Sequence, residues 1–342
     1  MQQHQQTPSS YTVVGAGAIG GTLAFHLAEA GHRVCVVDAD EAHARRIAEH
    51  GITVTRGEGR RTAPVAKSIT VADDLDEPAT RVLLAVKAHA TANAMRWVAP
   101  RLAGGGFVVS LQNGLNEPLI AQHVGVERTV GAFVNLFADV TAPGEIRDGG
   151  LGALVVGELD GRESYRVRSV AQDLQAWGPA QTSTNVSGYL WSKLGFGAML
   201  VATSLADAPM AELIDAHRPL MHGLAAEVYA VASAEQVTLE AFDAYDPRPY
   251  ADGDENAKHD ATDKLVAWLR TQAKDRSGIW RDIAVRHRPT EVPVHYAPVL
   301  DRARRHGIET PGIERLLWHI GELEAGAAMG QDRLDDVEGA LS

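Results

Sequence analysis

The stretch Tyr11–Gly31, YTVVGAGAIGGTLAFHLAEAG, decides how the chain folds. Its apolar start ends in Gly15, Gly17 and Gly20 at Gly-x-Gly-x-x-Gly spacing, and an apolar helical pattern follows through Leu23, Phe25 and Leu27. In a strand–turn–helix of this kind the first glycine makes the tight turn. The second lets the backbone approach a pyrophosphate, and the third lets helix pack on strand. Ala18 and Ile19 complete the loop at the helix start, whose orphan amides and positive end face the anion. Three glycines beside an apolar run also mark plain tight bends. Here a second strand-like run, Arg33–Val37, ends in Asp38, eighteen residues past Gly20, where an acidic side chain accepts from adenosine ribose hydroxyls. The pattern predicts a dinucleotide site made by Gly15, Gly17, Ala18, Ile19, Gly20 and Asp38.

Outward from this start, Glu41–His50 reads as a helix stopped by Gly51. Ile52–Val54 and Pro64–Val71 read as strands on either side of a polar link, Arg56–Arg61. Arg81–Val86 is a continuous apolar run, as a strand buried on both faces requires, and Lys87 follows it at once. A helix through Met95–Leu102 leads to a strand, Phe107–Leu111, followed by Gln112–Asn113–Gly114. Ligands of doubly wound sheets lie beyond the carboxyl ends of the strands, and Gly15–Gly20, Asp38, Lys87 and Asn113 all follow strand ends. Lys87 also reads as a solvated strand end, and Asn113 before Gly114 as turn chemistry.

Strands Val130–Phe137 and Ala153–Gly157, a helix Tyr165–Trp177 and a strand Ala180–Thr184 come next. The rest is helical, over Tyr189–Leu205, Pro219–Ala234, Ala261–Lys274, Ala297–His306 and Ile313–Ala325. The fold class expected is α/β: a flexible leader over 1–10, a dinucleotide-binding Rossmann domain over 11–184, and an all-helical substrate and dimerisation domain over 185–342.

Composition narrows the function. The 342 residues leave room for two cores, and the formal charge of −12 with no basic cluster argues against nucleic acid. The apolar stretch Leu194–Ala206 is too short to span a bilayer and reads as a buried helix. One cysteine, Cys35, permits no intrachain disulfide, and the polar start MQQHQQTPSS lacks the apolar core of a signal. A cytoplasmic enzyme is expected, with apolar helical faces sufficient for a homodimer. No metal-ligand spacing stands out.

The helix Tyr189–Leu205 carries a core stripe of Trp191, Leu194, Ala198, Val201 and Leu205, with Lys193 and Gly197 one turn apart on a neighbouring face. A lysine flanked by Trp191 and Leu194, where the two halves of the sequence join, is a candidate desolvated ammonium able to polarise a carbonyl and donate a proton. It also reads as a lysine that snorkels to solvent. Downstream, Asp282 and Glu291 stand among Arg276, Arg281, Arg286, His287 and Arg288, most of which read as a solvated, salt-bridged surface. Pro289 rigidifies the approach to Thr290–Glu291.

The ordered set GAGAIG (15–20), LAVK (84–87), QNG (112–114), WSK (191–193) and RPTE (288–291) resembles the ketopantoate reductase family over residues 11 to 325. The resemblance implies a Rossmann domain, a helical second domain, and hydride transfer between a nicotinamide and C2 of a 2-oxo acid. It makes Lys193 the catalytic lysine, Asn113 a residue beside the nicotinamide that orients it, Lys87 a lining residue of the cofactor cleft, and Glu291 the acidic partner in the substrate pocket. A positioned ammonium stabilises the charge that grows on oxygen most in the transition state.

The chain departs from the family pattern where substrate is held. The family's asparagines four and eight residues after the lysine are here Gly197 and Val201, its serine four before Asp282 is Gly278 beside Ser277, and one extra residue separates Asp282 from Glu291. Lost polar anchors and two space-opening glycines lead to the expectation of a substrate larger or more apolar than ketopantoate. The family's basic residue after the second strand is Ala39, between Asp38 and Asp40. A carboxylate there repels a 2′-phosphate and favours NAD over NADP, unless Arg45 and Arg46 fold back over the adenine. An NADPH-dependent 2-dehydropantoate 2-reductase with a rearranged pocket, and a sensor without turnover, are the alternatives.

Overall fold

The computed structural model describes residues 9–272 and 274–341, and its packing divides the chain after Val186 into two compact units. The first opens with β1 (Ser10–Val14), α1 (Ala18–Glu29), β2 (Arg33–Asp38), α2 (Glu41–His50), and a hairpin of β3 (Ile52–Arg56) and β4 (Gly59–Ala63). It continues through β5 (Lys67–Thr70), β6 (Ala79–Leu84), α3 (Thr91–Val98), β7 (Leu102–Ser110), α4 (Glu117–Val124) and β8 (Thr129–Val134). It closes with β9 (Ala138–Ala142), β10 (Glu145–Asp148), β11 (Leu154–Glu158), α5 (Tyr165–Leu174) and β12 (Ala180–Thr182).

The main sheet has the order β12-β11-β8-β7-β6-β1-β2-β5, and its pairs are parallel except β8 with β11. This is the doubly wound Rossmann topology. Its central strands are apolar without alternation because helices cover both faces: Val13, Val82, Leu83, Leu84, Val108 and Val109 are all 0% exposed. The carboxyl ends of β7, β6, β1 and β2 therefore lie side by side, and the loops after them form one edge.

A second sheet, β4-β3-β10-β9, covers the other side of α1. Ile52, Val54, Ala63 and Ile146 from this sheet share one core with Leu23, Phe25 and Leu27 of the helix and with Val13 and Val36 of the main sheet. That placement explains why α1 is apolar all round, with Gly20–Leu27 buried. The polar link expected over Arg56–Arg61 is instead a hairpin turning at Gly57 (φ +57°). Its arginines face outward to acids, Arg60 to Glu145 at 2.8 Å and Arg61 to Glu29 at 2.7 Å. The strand expected over Pro64–Val71 shortens to β5. Ser10 belongs to β1 rather than to a leader, and residues 1–8 lie outside the described part.

The second unit is helical: α6 (Val186–Ala202), α7 (Met210–Ala216), α8 (Arg218–Ala234), α9 (Arg248–Asp252), α10 (Glu255–Arg270), α11 (Gly278–Ala284), α12 (Val292–His306), α13 (Pro311–Glu324) and α14 (Gln331–Ala340). The stripe Trp191, Leu194, Ala198, Val201 and Leu205 lies in its core, each residue 5% exposed or less. α10 starts earlier than expected because Asp254 caps it, accepting from Ala257 N–H at 2.9 Å. α12 starts five residues early because Pro293 occupies its first turn and Pro298 is carried inside it. No single helix among the described residues is long and apolar enough to cross a membrane.

Candidate active site

At the glycine loop, Gly15 has φ +90°, and a Cβ there would stand 2.7 Å from Val86 N. A Cβ on Gly20 would come 1.9 Å from the carbonyl oxygen of Gly15, so α1 packs on the loop only with glycine at that place. Gly17 caps α1, and the space its Cβ would enter is open. The peptide of Ala16 between them is held on both sides. Its N–H donates to Asp38 Oδ2 at 2.7 Å, and its carbonyl oxygen is 2.9 Å from His43 Nε2. Because Gly144 N–H donates to His43 Nδ1 at 3.1 Å, the ring proton belongs on Nε2 and is given to Ala16. His43 thus fixes the loop, a role that its place in a polar surface-helix sequence did not reveal.

Asp38 also accepts from Asp40 N–H through Oδ1 at 2.9 Å. Each carboxylate oxygen keeps acceptor capacity, so the group is fixed and still able to take ribose hydroxyls. Open space over Gly17 at a helix N-terminus and a fixed acid at the end of β2 fit a nicotinamide dinucleotide. The stem of Arg46 lies against Gly144, its Cγ 2.9 Å from where a Cβ there would stand.

The loops carrying Lys87 and Asn113 are joined by a buried chain of amides and a hydroxyl. Gln112 donates to Val86 O at 2.8 Å and to Thr91 Oγ1 at 2.7 Å. Thr91 donates to Asn116 Oδ1 at 3.2 Å, and Asn116 Nδ2 donates to Asn113 O at 2.7 Å. Gly114 turns the chain at φ +83°, leaving the Asn113 side chain exposed and Lys87 partly so. Gly15, Gly17, Ala18, Ile19, Gly20, Asp38, Lys87 and Asn113 thus share one edge of the first unit.

In the second unit Lys193 sits within the apolar α6. The side chain keeps some surface yet lies deep in the unit, and burial pushes its pKa down to about 8, with Asp243 pulling the other way. The carbonyls of both its neighbours accept buried tyrosine hydroxyls: Ser192 from Tyr229 at 2.9 Å and Leu194 from Tyr296 at 2.8 Å. A Cβ on Gly195 would be 2.3 Å from the Tyr229 ring, so that glycine admits the tyrosine.

Tyr296 belongs to α12, which Glu291 opens, and so ties that helix start to the turn bearing Lys193. Glu291 Oε1 is 3.8 Å from His295 Nε2. Its neighbour Thr290 gives both its N–H and its hydroxyl to Glu324 Oε1 at 2.7 Å, an anchor that proline spacing alone did not foretell.

Two expectations for the substrate residues change, those for Ser277 and Gly197. Ser277 Oγ accepts from Trp280 N–H at 3.1 Å and caps α11, so it is a helix cap before it is an anchor. Gly197 does not open space, because Tyr296 Oη stands 3.1 Å from its Cβ position; Gly278, exposed with nothing within 4 Å of its Cβ position, does. Val201 is 2% exposed in the core. Asp282 pairs with Arg286 at 2.8 Å and Arg288 at 2.9 Å, as a charged surface does.

Comparison with known proteins agrees with these motifs. The profile of ketopantoate reductase PanE/ApbA matches residues 11–161, and that of its C-terminal region matches residues 185–324. The 2-dehydropantoate 2-reductase of Halobacterium salinarum is 30% identical over 312 residues, covering 89% of this chain and 95% of its own. The crystal structure of a PanE/ApbA family ketopantoate reductase from Ralstonia eutropha superposes with a TM-score of 0.75 at 25% identity, covering 92% of this chain and 98% of its own. A D-mandelate dehydrogenase solved with NADH and anilino(oxo)acetate shares the fold, with a TM-score of 0.77 at 20% identity over 92% of this chain and 98% of its own. The chain belongs to the ketopantoate reductase family, nicotinamide-dependent oxidoreductases acting on a CH–OH/C=O pair.

Proposed function

We propose that this protein is an NAD(H)-dependent oxidoreductase for a 2-oxo acid, or the matching 2-hydroxy acid, larger or more apolar than ketopantoate. The observation that carries the reading is a lysine set inside an apolar helix between two carbonyls that buried tyrosine hydroxyls hold, where burial lowers its pKa to about 8. Such a group holds a proton at neutral pH and can release it within reach of ordinary conditions. A bound nicotinamide supplies or accepts the hydride. In reduction the Lys193 ammonium donates its proton to the carbonyl oxygen of the substrate; in oxidation the neutral amine takes the hydroxyl proton. Glu291 and the open space above Gly278 serve the substrate, Asn113 orients the reacting groups, and Lys87 binds cofactor.

A preference for NAD is supported by Asp38, which two backbone amides hold at the end of β2. A fixed carboxylate there repels the phosphate and suits a free ribose diol. Fluorescence titration of the apo-protein is expected to give a dissociation constant for NADPH about tenfold or more above that for NADH. The reverse order would overturn the assignment.

For substrate, Gly197, Val201 and Gly278 offer no side-chain amide or hydroxyl. A screen at 340 nm with both cofactors against 2-oxo and 2-hydroxy acids is expected to find kcat/KM for a bulkier apolar acid about tenfold or more above that for ketopantoate, as one or two well-packed methylenes supply. Ketopantoate at the top of the panel with NADPH would instead favour the activity for which the Halobacterium salinarum relative is named. No turnover with any acid would leave a cofactor-binding sensor.

A further inference from the structure

The segment 240–245 crosses α6 at the turn that holds Lys193. Glu240 N–H donates to Ser192 Oγ at 3.0 Å. Two residues on, Phe242 begins a tight turn that it closes with Tyr245 through reciprocal backbone bonds, 3.0 Å and 2.8 Å. Both their rings rest on Phe196 of α6, centroids 6.0 and 4.9 Å away, and Tyr245 bonds the Tyr229 hydroxyl at 2.7 Å. Phe196 and Lys193 are three residues apart on the helix, which makes them surface neighbours. The residue at the tip of this turn is Asp243, with φ +47°. Aspartate tolerates the left-handed region better than most residues, but glycine would adopt it more easily.

We infer that Asp243 is a positioning residue for Lys193: the turn Phe242–Tyr245, clamped to α6 through Phe196 and Ser192, presents its carboxylate toward the lysine ammonium. The inference rests on Lys193 being the proton donor. The field of Asp243 on Lys193 opposes the larger effect of burial. Further titratable groups stand on the packed elements. Glu240 acts on Tyr189, and Asp246 pairs with Arg248 at 2.6 Å. On α12, Arg302 pairs with Glu235 at 3.1 Å and Glu291 lies by His295. Burial keeps Tyr229, Tyr245 and Tyr296 protonated.

The test uses the full chain and two readouts. In Asp243→Asn the pH at which reductase kcat falls on the alkaline side is expected to move down by about half a unit or more, while Asp243→Glu stays near the parent value. An NMR titration of the ε-carbon of Lys193 in isotope-labelled apo-protein, assigned with Lys193→Arg, is expected to show the same shift without relying on turnover. A Lys193 titration unchanged in Asp243→Asn overturns the inference even where Lys193 is indispensable. Conversely, activity retained in Lys193→Ala with the NMR shift present would remove the proton-donor role and leave the pairing. Asp243→Gly, which removes the charge while easing φ, gives the same reading should the asparagine variant fold poorly.

Discussion

Lys193→Ala is expected to lower turnover about a hundred- to ten-thousand-fold, with the dissociation constant of the cofactor unchanged. The size follows from where the charge is needed. Negative charge appears on the substrate oxygen only as the carbonyl is reduced, so an ammonium held in a poorly hydrated place stabilises the transition state more than the bound substrate. Burial depresses the lysine pKa to about 8, which places the midpoint of the pH dependence, and the form each direction requires sets its sign. Reduction needs the charged form and is present below that value, falling as pH rises through it. Oxidation needs the free amine and rises through the same range. The alanine variant loses both limbs. Lys193→Arg, which cannot release its proton, keeps only the electrostatic stabilisation of the oxygen, so reduction falls steeply as well and oxidation is lost. Stopped-flow rates and pH profiles check each point, and turnover unchanged in Lys193→Ala would remove the lysine from the reaction.

Gly20→Ala is expected to damage fold and cofactor binding together. Its Cβ would lie 1.9 Å from the Gly15 carbonyl oxygen and 2.9 Å from Ala85 Cβ, and neither can rotate aside. Either α1 lifts from the loop or the loop moves, at a cost of about 1–3 kcal/mol or more. A thermal shift of several degrees and a loss of roughly tenfold or more in NADH affinity follow. Gly17→Ala is the informative companion. Nothing lies within 4 Å of its Cβ position, so the melting temperature holds while a methyl group enters the space meant for the pyrophosphate. Equal melting and equal affinity in both variants would contradict the assignment of this loop.

The parts of the fold legible in the sequence were those written by short-range rules. β1, α1 and β2 follow from glycine spacing and apolar runs, and the change to helices near residue 186 follows from the change of period. What stayed hidden depends on partners far along the chain. The β3–β4 hairpin reads as a polar link because Arg60 and Arg61 face solvent, and its role is visible only once the sheet lies on α1. Pro293 and Pro298 disguise the start of α12.

At the candidate site, residue identity pointed to Lys193 and Asp38, but not to what holds them. His43 behind the glycine loop, Gln112 between two loops, and Tyr229 and Tyr296 on the carbonyls beside Lys193 come from elements whose local patterns speak only of helix or turn. Asp243 lies fifty residues from the lysine it serves, in a turn whose strain has no counterpart in the letters FDAY.

The helix α1, pressed between two sheets, has almost no wall toward solvent along Gly20–Leu27. Its anion-seeking end is consequently as stiff as the interior from which it emerges. A ligand arriving there meets a seat already cast, so little binding energy goes into ordering the chain. Affinity for the cofactor is then set by what the seat touches, and single changes at its rim can retune preference without reshaping the scaffold behind it.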